Sequence, residues 1–274
     1  MLKLVVTVLI NSGRNMNDII NLEQIRRYNR VVRSWFTFTD GSKNDSLENV
    51  QKSALRIVMR YLNLTPTEVD QNQFFKMLER IGPQNSEALF SESQIHSKVW
   101  LGKTLIELKC NELDNVAILG GWYGHHPLFL RHCGVNYKQV VSFDKDSTCI
   151  SDADFLNGPD LEQEFRFKAV TGDVFSLNLE NYLLSLPNGN ERELVFQTVI
   201  CTSCEHLDLP KLLKLVPSGV LVALQGSDNK DYVGHDFAYR DLDDFKEKCN
   251  LSTLHYSGEI SLGPDKRFMV VGRK

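Results

Sequence analysis

The densest set of reactive side chains in the sequence is Cys201-Thr202-Ser203-Cys204-Glu205-His206, which closes an apolar run beginning at Val195. Three chemistries are open to it. The Cys-x-x-Cys pair with His206, and His235 farther along, offers thiolate and imidazole ligands of the kind zinc takes. The same pair forms a redox couple if it opens a helix in a thioredoxin-like context. In the third reading, Glu205 or His206 positions or deprotonates an acceptor, work suited to an imidazole titrating near neutrality, while the cysteines pack. The third reading is preferred, and no metal ligand set is assigned.

A second constellation lies upstream. Val116-Ala117-Ile118-Leu119 runs straight into Gly120, Gly121 and Gly124, and Val140-Val141-Ser142-Phe143 ends in Asp144. A buried strand, a turn that lets a backbone approach a ligand, and an acid at the next strand tip are the minimum needed to grip an adenosine-type cofactor. Trp122 and Tyr123 sit between the glycines, where they wall the pocket or fill it. A carboxylate offers acceptors to two adjacent ribose hydroxyls, so Asp144 is the ribose candidate and Asp146 is read as the cap of a helix starting near Ser147. Asp173, in Val-Thr-Gly-Asp-Val, is either a further contact or a turn residue.

These residues need a scaffold. Up to about residue 110 the apolar positions recur at helical spacing over 17–35, 46–61, 66–81 and 91–109. Thr65, Pro66 and Glu68 form the start of the third helix, and Gly82-Pro83 is expected to end it, leaving 82–86 as a loop. Beyond residue 110, short apolar runs predict strands at 116–119, 139–143, 167–171, 195–201, 220–225, 252–257 and 268–272. The spacing predicts a mostly parallel sheet with helices on both faces, the last two strands pairing antiparallel at one edge. The expected division is a mainly helical region over 1–110 and an α/β domain over 111–274.

From about residue 112 onward the chain resembles the class I S-adenosylmethionine-dependent methyltransferases. Through the 201–206 cluster and the ending Arg267-Phe268-Met269-Val270-Val271-Gly272 it also resembles methyltransferase-like proteins of tailed phages. The resemblance implies a Rossmann-like seven-stranded sheet with a C-terminal antiparallel hairpin. It places Gly120, Gly121, Trp122, Gly124 and Thr202 around S-adenosylmethionine, Asp144 on its ribose and Asp173 on its adenine, with Glu205 and His206 beside the methyl group. The Asp/Asn-Pro-Pro-Tyr/Phe signature of base-amine methylation and the Pro-Cys context of cytosine C5 chemistry are both missing, which leaves an unidentified N or O acceptor. A catalytically silent methyltransferase-like module is the alternative. A nicotinamide enzyme is disfavoured because the glycine turn is not Gly-x-Gly-x-x-Gly.

Composition sets the remaining limits. With 274 residues, 42% hydrophobic and 24% charged, the chain can bury a large core. Its longest apolar run, Leu4 to Ile10 broken by Thr7, is far short of the roughly 20 residues that span a bilayer. Six scattered cysteines do not form the dense framework of a small secreted domain, so a cytoplasmic protein with reduced thiols is expected. Residues 1–60 hold 10 Lys or Arg against 5 Asp or Glu, a local +5 within a net charge of -4. Arg26, Arg27, Arg30 and Arg33 recur at helical spacing, as a solvated face or as a nucleic-acid contact.

Overall fold

The apolar run at Val116 belongs to an eight-residue strand, β1 (Glu112–Leu119), whose last four residues are all buried. A strand covered on both faces reads as a continuous apolar stretch, and β1 is an interior strand of the sheet. The computed structural model describes residues 71–158, 165–186, 188–232, 234–262 and 265–274. Arg26, Arg27, Arg30, Arg33, the first two predicted helices and the Thr65–Glu68 capping box lie outside the described residues.

Beside β1 run β2 (Asn136–Asp144) and β3 (Phe167–Thr171). After a small antiparallel hairpin, β4 (Tyr182–Ser185) and β5 (Glu191–Leu194), the chain returns to the other side of β1 as β6 (Thr198–Cys201). It continues through β7 (Leu221–Ser227), β8 (Thr253–Leu262) and β9 (Asp265–Arg273). The sheet order is β3-β2-β1-β6-β7-β9-β8, parallel except for β9, which pairs antiparallel with both β7 and β8. This is the mixed α/β, Rossmann-like sheet with a C-terminal hairpin that the resemblance implied. The order reverses between β1 and β6, and in open α/β sheets ligands bind in the crevice beyond the strand ends at such a switch.

Alternate residues of β1 feed opposite cores, as the two-residue period requires. Ala117 and Leu119 pack with Phe143, Val199, Cys201, Leu224 and Phe268 on one face. Val116 and Ile118 pack on the other face with Val140, Ile200 and Met269, under Leu101 and Leu105 of the helix α2 (Glu92–Glu107). Ser91 caps α2, its hydroxyl accepting the Gln94 N–H at 3.4 Å. A third cluster joins α1 (Gln71–Leu89), α2 and the short helix α3 (His126–His132) through Leu78, Phe90, Ile95 and Phe129.

Two expectations need correction, and one element was not expected. Gly82-Pro83 does not open a loop: Gly82 breaks the helix at φ 76° and ψ 165°, and helical geometry resumes at once to Leu89. Proline's fixed φ suits the first position of a helix, so the same dipeptide that stops one turn starts the next. The Ser86 hydroxyl bridges the break by donating to the carbonyls of Gly82 at 2.7 Å and Leu78 at 3.2 Å. The C-terminal strands run on through much of the stretch between 258 and 267 that looked like a connection. As an edge strand, β8 is satisfied by its ladder to β9 and needs no apolar run. The β4-β5 hairpin went unforeseen because its strands are four residues long and mostly exposed.

Candidate functional site

The turn after β1 is fastened to β2. Gly120 and Gly121 donate their N–H groups to the Phe143 carbonyl at 2.9 and 3.0 Å, and Gly124 N–H closes onto the Gly121 carbonyl at 2.8 Å. Gly120, Trp122 and Gly124 all have positive φ, 68°, 47° and 66°. For Trp122 that left-handed backbone costs about 1 kcal/mol. A carboxylate helps hold it: Asp144 Oδ2 accepts the Trp122 N–H at 2.7 Å, while Oδ1 accepts the Asp146 N–H at 3.0 Å.

The three glycines have different causes. A Cβ on Gly121 would overlap the Ser142 hydroxyl, and one on Gly124 would come within 2.9 Å of Ala153 Cβ and 3.1 Å of Asn157 Nδ2. Those two glycines are needed for packing, where close approach to a ligand was expected. Gly120 differs, because the nearest atom to its added Cβ is Ser203 Cβ at 3.9 Å. It faces the gap between the tips of β1 and β6.

Trp122 and Tyr123 are explained by the helical layer. Their rings tilt together at 4.9 Å, Tyr123 is buried within the α1–α2 cluster, and its hydroxyl accepts the Asn85 side-chain N–H at 2.9 Å. The aromatic pair thus ties α1 to the turn. Asp146 is the cap it was expected to be, accepting the Thr148 N–H at 2.9 Å. Asp173 is exposed and also caps, its Oδ1 accepting the Phe175 N–H at 3.0 Å.

At the tip of β6 the cysteines and the charges part company. Cys201 and Cys204 lie in the apolar core, the Cys204 thiol donating to the Cys201 carbonyl, and burial pushes that thiol well up from its ordinary pKa. Glu205 is 2% exposed and accepts from Arg267 Nη1 at 2.7 Å through Oε1, while its Oε2 has no hydrogen-bond partner. Arg267, itself buried, also reaches the Thr202 carbonyl at 3.5 Å.

Three basic groups not singled out by the sequence reading join this set. Lys98 is buried on α2, donates to Gln94 Oε1, and burial with the nearby Arg267 charge pulls its pKa down to about 7. His125 and His126, directly after the glycine turn, are buried with neither ring nitrogen of either residue hydrogen-bonded. Burial, reinforced by Lys98, holds His125 well below its ordinary pKa and His126 at about 3, so both are neutral. The adjacent histidines at the end of a glycine turn were the available signal. Lys98 had a subtler one, a single lysine between Ile95, Val99 and Leu101 on an otherwise apolar helix face.

Two histidines stand at the outer side. His206 is exposed and its Nδ1 lies 2.8 Å from the Gly234 carbonyl, while His235 Nδ1 lies 2.6 Å from the Asn229 carbonyl. A carbonyl oxygen has no proton to give, so each Nδ1 is the donor, and in the neutral ring the lone pair lies on Nε2. The rings meet edge to face at 4.6 Å, and His235 Nε2 stands 3.9 Å from Glu205 Oε1.

No family model matches the chain, and no curated protein is similar to it in sequence. Among solved structures, the N-methyltransferase NodS from Bradyrhizobium japonicum matches at 12% identity and a TM-score of 0.44, over 63% of this chain and 93% of that one. A putative sarcosine dimethylglycine methyltransferase from Galdieria sulphuraria matches at 11% and 0.48, over 68% and 88%. The magnesium protoporphyrin IX methyltransferase ChlM from Synechocystis, with bound SAM, matches at 14% and 0.43, over 86% and 100%. Among the described residues no helix is long and apolar enough to cross a membrane.

Proposed function

We propose that this chain is an S-adenosylmethionine-dependent methyltransferase acting on an N or O acceptor. The observation that carries the reading is the meeting, at the sheet's switch point, of the glycine turn and Asp144 with the Thr202–His206 segment and its buried polar groups. The residues fit the cofactor. Asp144 gives one hydrogen bond's worth of each oxygen to the backbone and keeps a lone pair on each for the ribose hydroxyls. Gly120 presents bare backbone toward the gap, and Asp173 has an exposed carboxylate for the adenine amine.

When bound, the cofactor supplies a methyl group already activated by its sulfonium, so the protein has mainly to orient and to manage a proton. Within this reading Glu205 is a positioning residue. Its ion pair with Arg267 occupies the carboxylate, and the proton is accepted by Nε2 of His206, which Gly234 holds in the right tautomer. The residues up to about 110 form an acceptor-selecting cover. A catalytically silent module is the less favoured reading, because a fold freed from ligand binding has no reason to keep buried groups unpaired at about 1–3 kcal/mol each.

Thermal denaturation with S-adenosylmethionine and S-adenosylhomocysteine, against ATP and NAD as controls, tests the reading. Ligand at about 100 times its Kd adds roughly 2.7 kcal/mol of stability, a shift of several degrees for a domain of this size. No shift with either sulfur compound, or an equal one with ATP, would overturn it.

A further inference from the structure

Among the described residues one cluster has the composition and geometry of a metal site: Glu205, His206 and His235, each offering a ligand atom within 4.8 Å of the other two. We propose that these residues bind a divalent transition-metal ion whose open positions take an oxygen donor, so that the methyl acceptor is a hydroxyl. The choice of acceptor rests on the methyltransferase reading; the metal site does not.

Three observations carry it. Both imidazoles spend Nδ1–H on a backbone carbonyl, which leaves Nε2 as the coordinating atom of the neutral ring, with the outer-shell hydrogen bond that metal-binding histidines ordinarily have. Glu205 is almost wholly buried, and Oε1, the oxygen nearest His235 Nε2, keeps a lone pair beyond its bond to Arg267, while Oε2 has no partner at all. The loop carrying His235 is fastened to the Glu205 turn by the Phe237 N–H donating to the Glu205 carbonyl at 3.0 Å, which holds the ligands in one register without the ion.

Ligand atoms on a shared ion at about 2.1 Å stand roughly 3 Å apart in octahedral and roughly 3.4 Å apart in tetrahedral geometry. The 3.9 Å between His235 Nε2 and Glu205 Oε1 must therefore shorten by about half an ångström to an ångström. The ring of His206, exposed at the surface, has the freedom to close the rest. Two imidazoles and one carboxylate suit zinc, cobalt, iron or manganese better than magnesium or calcium, which prefer all-oxygen shells. The buried cysteines are not ligands, since Cys204 is turned into the core toward the Cys201 carbonyl.

Three protein ligands leave positions free. An ion there acidifies a hydroxyl it binds, and the oxygen keeps further lone pairs for attack. An amine gains nothing, because its single lone pair would be tied to the ion. With His206 Nε2 bound to the ion, the ion replaces it as the group that activates the acceptor: the O–H proton passes to solvent, the C–O bond forms as the C–S bond breaks, and the C–S electron pair returns to sulfur.

The test is titration of the metal-free full-length chain with Co2+, followed by visible absorption, with Zn2+ and Mg2+ titrations by calorimetry. One ion per chain is expected, with zinc and cobalt far tighter than magnesium. His206→Ala and His235→Ala should each weaken it at least tenfold, and Cys201→Ser should leave it unchanged. Circular dichroism of the His206→Ala protein, altered at an exposed residue, guards against misfolding. Acetohydroxamate added to the cobalt protein should shift the spectrum if positions are open. No stoichiometric binding, or binding indifferent to both histidines, would overturn the site; an unshifted spectrum would overturn the hydroxyl acceptor. Titration of S-adenosylhomocysteine into the same metal-free protein reports on the methyltransferase reading separately.

Discussion

The tips of β1 and β6 lie side by side, Gly120 opposite Ser203, yet they are built on opposite terms. Almost everything at the β1 tip is accounted for from within: Gly121 and Gly124 by the atoms packed on them, Trp122 and Tyr123 by the helical layer, Asp144 by two backbone amides. At the β6 tip and around it the account does not close. Glu205 Oε2 is buried there with no hydrogen bond, and the one gap on the β1 side lies just past the turn, where the four ring nitrogens of His125 and His126 are buried without partners. Folding ordinarily avoids such groups, and on the proposed reading a ligand supplies the missing partners.

The largest expected effect tests whether the β6 tip is held by its ion pair. Glu205→Gln or Arg267→Met alone strands a buried charge and should cost about 3–5 kcal/mol in denaturant unfolding, whereas Glu205→Leu with Arg267→Met should recover most of it. If both single variants were near neutral, the pair would not be organising this tip.

Next comes pH. His126 is held neutral with a folded-state pKa of about 3 against an ordinary 6.5. Its contribution to stability is complete above pH 6.5 and is lost as the pH falls toward 3, on the order of 5 kcal/mol in all, with His125 acting in the same direction. His126→Phe should flatten unfolding free energy against pH over that window. An unchanged slope would mean that the imidazole is hydrated or paired in solution.

Smaller effects separate the glycines. Gly121→Ala should lose about 1–3 kcal/mol from overpacking and regain part of it when Ser142 is also changed to Ala. Gly120→Ala should cost only about 1 kcal/mol, for its positive φ, while weakening S-adenosylhomocysteine binding measured by calorimetry. Equal effects of the two on binding and on stability would erase the distinction drawn between them.

The fold was legible because its central strands are continuous apolar runs bounded by glycine and acid, a pattern that few other arrangements satisfy. The hairpin β4-β5 and the outer half of β8 were hidden for the converse reason: edge strands owe their stability to backbone ladders, and their residues carry little signal. In the candidate site the contrast is similar. Gly120, Asp144 and Glu205 are named by position relative to a strand, which the sequence displays. The neighbours of Glu205 come from Arg267, 62 residues on, and from Lys98 on α2, and only the folded sheet brings them together. Asp173 carries an ambiguous signal, since a carboxylate after a strand is equally a cap, and its Oδ1 does accept the Phe175 N–H.

The most direct measurement is calorimetric titration of S-adenosylhomocysteine into the wild-type chain and into Asp144→Ala. The account expects one site in the wild type and at least tenfold weaker binding in the variant, whose ribose acceptor is gone. Absence of measurable heat in the wild type, or equal affinity in the two proteins, would contradict a cofactor seated at the switch point between β1 and β6.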